Sequence, residues 1–159
     1  MIDDELNLVE AFKIGSNTFP NKLNEHLDLR TKHIDTCFCE HSELFAWYAT
    51  AYELALYTEL HLKEELARLY ARADHKARMD SKMSGIKLTE KMVENTVITF
   101  PEYVDKQNEY FDSKLNTGLL RAAKDAMIHR RDMLIQMGAT YRAEGQSDLK
   151  LKQQVIKGK

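Results

Sequence analysis

Residues 42–83 read SELFAWYATAYELALYTELHLKEELARLYARADHKARMDSKM, with no glycine and no proline. Leu44, Tyr48, Ala51, Ala55, Leu62, Leu66, Leu69, Ala73 and Ala77 recur at steps of three, four or seven, the spacing that gathers side chains into one seam of an α-helix. The stretch therefore predicts one helix over 42–83, ~60 Å long at 1.5 Å per residue. A rod of that length needs another helix against its seam. Val104, Phe111, Leu115, Leu119, Ala122, Ala126, Met133 and Met137 repeat the spacing and predict a second long helix over 101–144.

Between the two, Ser84-Gly85 breaks the first helix. Thr89 is placed to cap a short helix ending before Phe100-Pro101, and Pro101 suits the first turn of the next. The expected fold class is all-α: a long antiparallel helical hairpin with short accessory helices, assembling into a homo-oligomer through seam left uncovered. Residues 1–145 are read as a single helical domain. Leu6, Val9 and Phe12 predict a short helix over 2–14, Gly15 to Pro20 predict a loop near 15–21, and helical pattern resumes near Lys22. Gly145 is read as the stop of the last helix, leaving 146–159 as a flexible basic tail.

The chain has 159 residues, enough for one ordinary domain; 43% are apolar and 30% charged, with only six glycines and two prolines. No run approaches the ~20 apolar residues of a membrane span, and the acidic start is the wrong sign for a secretory signal, so a cytoplasmic protein with no membrane partner is expected. Cys37 and Cys39 are too close in sequence for an unstrained disulfide and are read as thiols.

The net charge of −2 conceals a division: residues 1–65 hold 13 acids and 5 bases, whereas 66–159 hold 12 acids and 18 bases. Residues 68–91 alone carry seven bases against three acids. On a helix, Arg68, Arg72, His75, Lys76, Arg78 and Lys82 fall within an arc of roughly 160°, opposite Leu66, Leu69, Ala73 and Ala77. The ordinary reading of such a face is a solvated stripe with local ion pairs to Asp74 and Asp80. Lys87 and Lys91 continue the charge past the break, and Arg121, Lys124, Arg130 and Arg131 add to it from the last helix. Dispersed bases without a groove-reading module suit sequence-independent contact with a phosphate backbone. Trp47, Tyr57 and Tyr70 offer rings, but their apolar neighbours make them core by expectation.

Other chemistry is weaker. His33, Cys37 and His41 share a helix face, yet the two histidines lie ~12 Å apart in rise and Cys39 points elsewhere, so no metal is expected. Glu40 with Glu43, and Glu109 with Asp112, would hold magnesium only if facing helices brought the pairs together. There is no serine elbow and no phosphate-cradling glycine loop. No catalytic residue and no cofactor are expected.

His75-Lys76-Ala77-Arg78-Met79-Asp80, followed by Ser84-Gly85, resembles the Lys-Ala-Arg-Leu-Asp element and nearby Ser-Gly of the T4-type phage recombination mediator (UvsY) family. Asp125-Ala126, Arg130, Leu134, Arg142 and Glu144 resemble that family's closing helix in order and spacing. The resemblance covers roughly residues 45–145. It implies a small helical oligomer, without catalytic activity, that binds single-stranded DNA and helps a RecA-like recombinase displace a single-strand binding protein in a phage-infected cell. By match, the family's basic pair falls on Lys76 and Arg78. Ser81 and Lys82 stand where the family has an aromatic pair, leaving no ring there to stack on a base. The nucleic-acid contacts expected are therefore Lys76, Arg78, Arg68, Arg72, Lys82 and Lys87. The alternative is a helical structural or adaptor protein whose basic face meets an acidic protein partner.

Overall fold

The structure is a computed structural model and describes residues 11–15, 17–30 and 32–157, with side chains as far as Gln146. Its order is β1 (Ala11–Ile14), β2 (Asn17–Pro20), α1 (Leu23–Leu27), α2 (Ile34–Ser84), α3 (Glu90–Ile98) and α4 (Pro101–Lys157). The long helices hold 51 and 57 residues, ~77 and ~86 Å of rise. They run antiparallel: Lys106 meets Glu65 at 3.2 Å, Lys124 lies over the Tyr52 ring at 4.1 Å, and Arg130 reaches the Cys37 carbonyl at 3.2 Å. Among the described residues no helix is long and apolar enough to cross a membrane.

The expected seam of α2 faces inward along its whole length. Tyr48, Ala51, Ala55, Ala73 and Ala77 are buried, and Leu44, Leu62, Leu66 and Leu69 half-buried. The helix ends where Gly85 takes φ 70°, the left-handed cap that glycine adopts without steric cost. Thr89 then accepts the Met92 amide at 3.3 Å and caps α3, while Pro101 opens α4.

Several expectations are corrected. Ala11–Ile14 and Asn17–Pro20 pair as antiparallel strands, not as the end of a helix and a loop, with Phe12 opposite Phe19 and Ile14 opposite Asn17. Gly15, at the end of β1, takes φ 60°, a left-handed conformation that glycine adopts without steric cost; residues 2–10 of the expected helix and Ser16 of the expected loop lie outside the described ones. The hairpin is tied to α4: the Lys13 amide donates to Asn116 Oδ1 at 2.9 Å, and Asn116 Nδ2 donates to the Lys13 carbonyl at 2.6 Å. Resumption of helix near Lys22 is limited to the single turn and a half of α1. The first long helix begins at Ile34, earlier than expected, because nothing between Ile34 and Ser42 interrupts it.

Gly145 does not stop α4, whose backbone continues to Lys157, so the expected flexible tail is helical that far. The only glycines at positive φ among the described residues are Gly15 and Gly85; Gly145 stays in the helical region and cannot cap. The seam of α4 is also rotated from the expected one. Thr117, Leu120, Ala123, Met127, Arg130, Leu134 and Gly138 face α2, whereas Val104, Phe111, Leu115, Ala122 and Met133 are exposed. Leu119, Ala126 and Met137 sit half-buried at the margin.

The main core gathers Phe12, Tyr48, Ala51, Ala55, Leu120, Ala123 and Met127; a second packs Ala73 and Ala77 of α2 on Val93 and Val97 of α3. The second core forms an elbow where the chain reverses. At the other end, Arg130 is buried in the seam at 2% exposure. Its Nη1 donates to the Cys37 carbonyl and to His41 Nδ1, each at 3.2 Å, while Nε finds no partner. Because a guanidinium can only donate, His41 is held neutral with its proton on Nε2. Burial first, then Arg130 and Arg131, lower the His41 pKa from 6.5; burial likewise lowers that of His26.

These histidines make stability depend on pH. The fold favours their neutral forms, so it binds fewer protons than the unfolded chain and loses stability as pH falls below 6.5 toward the lowered values. The carboxylates with lowered pKa, such as Glu40 and Asp74, act only below their own ordinary values near 4. The urea midpoint should thus be flat from pH 8 to 7 and decline between 6.5 and 5.5, and His41→Asn should flatten the decline. An unchanged slope in that variant would refute the assignment.

Candidate nucleic-acid interface

The elbow core orients the last third of α2. With Ala73 and Ala77 against α3, the arc of Arg68, Arg72, His75, Lys76, Arg78 and Lys82 is exposed as expected. Exposure does not make each base available.

Arg78 is clamped between two carboxylates. Nε and Nη2 donate to Asp74 at 2.9 and 3.2 Å, and Nη1 and Nη2 donate to Glu90 at 3.0 and 2.6 Å. These hydrogen bonds hold the Asp74 and Glu90 carboxyls below their ordinary range and raise the Arg78 pKa further. Lys76 Nζ rests 5.4 Å from the centre of the Phe100 ring, a cation–π contact. Both members of the Lys76-Ala77-Arg78 element thus touch an end of the α3 segment: Glu90 opens it and Phe100 follows it. α3 straps the element it lies on.

Arg68 pairs with Glu64 at 3.3 Å. With Arg72 it borders a groove of ≈ 930 Å³ between α2 and α4, where Lys106 is the remaining cation and Glu65, Glu102, Asp105 and Glu109 are the acids. Four carboxylates against three cations do not favour a polyanion, so the groove itself is a poor phosphate track.

Lys82 and Lys87 differ. They flank a cleft of ≈ 410 Å³ at the elbow whose charged lining residues are Arg78, Lys82 and Lys87, with Ser81, Gly85 and Val93 completing the walls. Neither lysine forms an ion pair among the described residues. The structure therefore brings Arg78, Lys82 and Lys87 together at the elbow cleft, sets Lys76 apart against Phe100 at the other end of α3, and leaves Arg68 and Arg72 in mixed surroundings up the helix.

The other candidates resolve similarly. Arg130, counted among the surface bases from the sequence, is buried and cannot reach a phosphate; Lys124 lies over Tyr52. Among the described residues no three His, Cys, Asp or Glu side chains converge as metal ligands, and Cys37 is buried while Cys39 is exposed. Glu109 lies beside Glu65 through their shared Lys106, and Glu40 is ~37 Å away along α2, so the two acidic pairs do not meet. Trp47, Tyr57 and Tyr70, expected in the core, are all exposed. The inward positions beside them are Tyr48, Ala55 and Leu69, one or two residues away, and the sequence pattern does not distinguish these from the exposed rings.

Comparison with protein-family models, curated proteins and solved structures finds no significant match to this chain.

Proposed function

We propose that the chain is a single-stranded-DNA-binding recombination mediator, acting as a homo-oligomer in the cytoplasm of the host cell to assist loading of a RecA-like recombinase onto DNA covered by single-strand binding protein. It performs no catalysis of its own. The observation that carries the nucleic-acid reading is the elbow cleft, where Lys82 and Lys87 have no ion pair among the described residues and stand beside Arg78, itself held by Asp74 and Glu90, with no acidic side chain in the lining. Val104, Phe111, Leu115 and Met133, all exposed and aligned along ~44 Å of one face of α4, are the apolar side chains that self-association would cover. Several copies would align several elbows, and linked weak contacts bind far more tightly than one.

The test is fluorescence anisotropy of a ~30-nucleotide single strand and its duplex across salt, since each neutralised phosphate on a single strand adds ~0.7 to the slope of log K against log salt. Lys82→Ala with Lys87→Ala should weaken single-strand binding and reduce the slope by ~1.4. Glu90→Gln, which loosens one side of the Arg78 clamp, should instead strengthen binding about threefold. Unchanged slopes in the lysine variant would remove the elbow as the interface.

One observation favours a second reading, a structural or adaptor protein for an acidic partner: Arg78 and Arg68 already take carboxylates as ligands. It predicts salt-sensitive binding to an acidic protein with no response to DNA.

A further inference from the structure

A second cavity, ≈ 500 Å³, lies near the opposite end of the hairpin between β2, α1 and the first turns of α2. Its size is that of ligand pockets generally. Its wall is aromatic. Trp47 meets Phe19 at 5.9 Å and Tyr48 at 4.7 Å, both edge-to-face with interplanar angles of 77° and 87°. Neither ring lies parallel against the indole, and 37% of Trp47 is open. The platform is also held still: Tyr48 is buried, its hydroxyl shares a 3.1 Å hydrogen bond with His26 Nδ1, and desolvation pushes its pKa up to about 12.

The rim carries both signs. Lys32 is satisfied by Glu40 at 2.6 Å, whereas Lys22 and Glu43 border the cavity with no ion pair among the described residues. A free donor and a free acceptor beside an aromatic platform do not suit a simple anion or cation. They suit a planar, neutral group with donors and acceptors along its edge.

We propose that this cavity receives one unstacked nucleobase of a bound single strand, stacked on Trp47 with its polar edge toward Glu43 and Lys22. The assignment rests on the nucleic-acid reading above and adds to it the stacking surface that the elbow, with Ser81 and Lys82, does not provide. Trp47 lies ~52 Å along α2 from Lys82, a distance that ~15 nucleotides span at 3.4 Å each, so a thirty-mer can reach both.

Trp47 is the single tryptophan of the chain, so its emission reports this cavity alone. The full chain is titrated with a thirty-residue thymidine strand and with an abasic strand of equal length, each followed by anisotropy and by tryptophan emission. The thymidine strand should quench emission by half or more, and the abasic strand should bind without quenching. Trp47→Leu should lower affinity for the thymidine strand about tenfold and leave the abasic strand unaffected. Binding of both strands with equal emission, or a Trp47→Leu variant that discriminates as wild type does, overturns the base site and leaves the elbow reading standing. No binding of either strand at low salt overturns both.

Discussion

Arg130→Met is expected to stabilise the protein by about 1–2 kcal/mol, read as a rise in the urea midpoint with an unchanged dependence on denaturant. Arg130 sits in the α2–α4 seam at 2% exposure with no ion pair among the described residues and with Nε unsatisfied; Glu40, whose carboxylate is taken by Lys32, acts on it only at a distance. A buried charge without a counter-ion in contact carries a desolvation cost that two hydrogen bonds offset only in part. The Cys37 carbonyl that it serves lies inside α2 and already accepts an amide in the helix, and His41 Nδ1, which does lose its donor, belongs to a ring that is only half-buried, so the loss is smaller than the cost of the buried charge. Methionine matches the stem and fills irregular space. The same substitution should lessen the decline of stability below pH 6.5, since Arg130 is one of the charges that keep His41 neutral. A fall in the midpoint would mean that the charge has a stabilising partner, and the account of the seam would fail.

Leu120→Ala should cost about 3–4 kcal/mol, toward the upper end of what deleting a buried leucine costs. Leu120 is fully buried among Phe12, Tyr48, Ala51, Ala55, Ala123 and Met127. Five of these neighbours are alanine side chains or rings fixed by other contacts, and none can move in to fill the void. At this chain length the loss should lower Tm by roughly 10 °C. Leu115→Ala is the contrast, because Leu115 is 63% exposed on the opposite face of α4. It should leave the monomer's stability within about 0.5 kcal/mol of wild type while reducing oligomer mass in sedimentation. Equal losses at the two positions would place the wrong face of α4 against α2.

That contrast also marks where sequence reading succeeds. The α2 seam was legible because a single apolar stripe runs from Leu44 to Ala77 opposite a charged arc. The elbow was legible because Gly85, Thr89 and Pro101 each have one conformational role that suits their place. α4 was not, since it carries two apolar stripes on opposite faces, and periodicity finds a stripe without saying which one is covered. The richer stripe, with Phe111, Leu115 and Met133, is outside; the inner one is broken by Thr117, Arg130 and Gly138, which fit close contact with α2. The β-hairpin was hidden because four-residue strands offer too little alternation to outweigh helical spacing at Leu6, Val9 and Phe12. In the candidate interface, exposure of the basic arc followed from spacing alone. The clamp on Arg78 did not, because Glu90 arrives from another helix and only folding sets the angle between them. Trp47 went unassigned for a related reason: the cavity beside it is built by β2 and α1, whose positions the sequence does not reveal.

The hairpin's shape also dictates an order of assembly. Contacts at the elbow, such as Ala77 with Val93, join residues close in sequence, whereas Arg130 meets Cys37 across 93 residues and Lys13 meets Asn116 across 103. Closing a longer loop costs more entropy, so the two helices should zip outward from residues 85–100, and the β-hairpin should dock last. Unzipping follows the reverse path. Backbone amides of α2 from Cys37 to Tyr48 therefore exchange with solvent sooner than those from Ala73 to Ala77, and the cavity beside Trp47 lies at the end of the molecule that opens first.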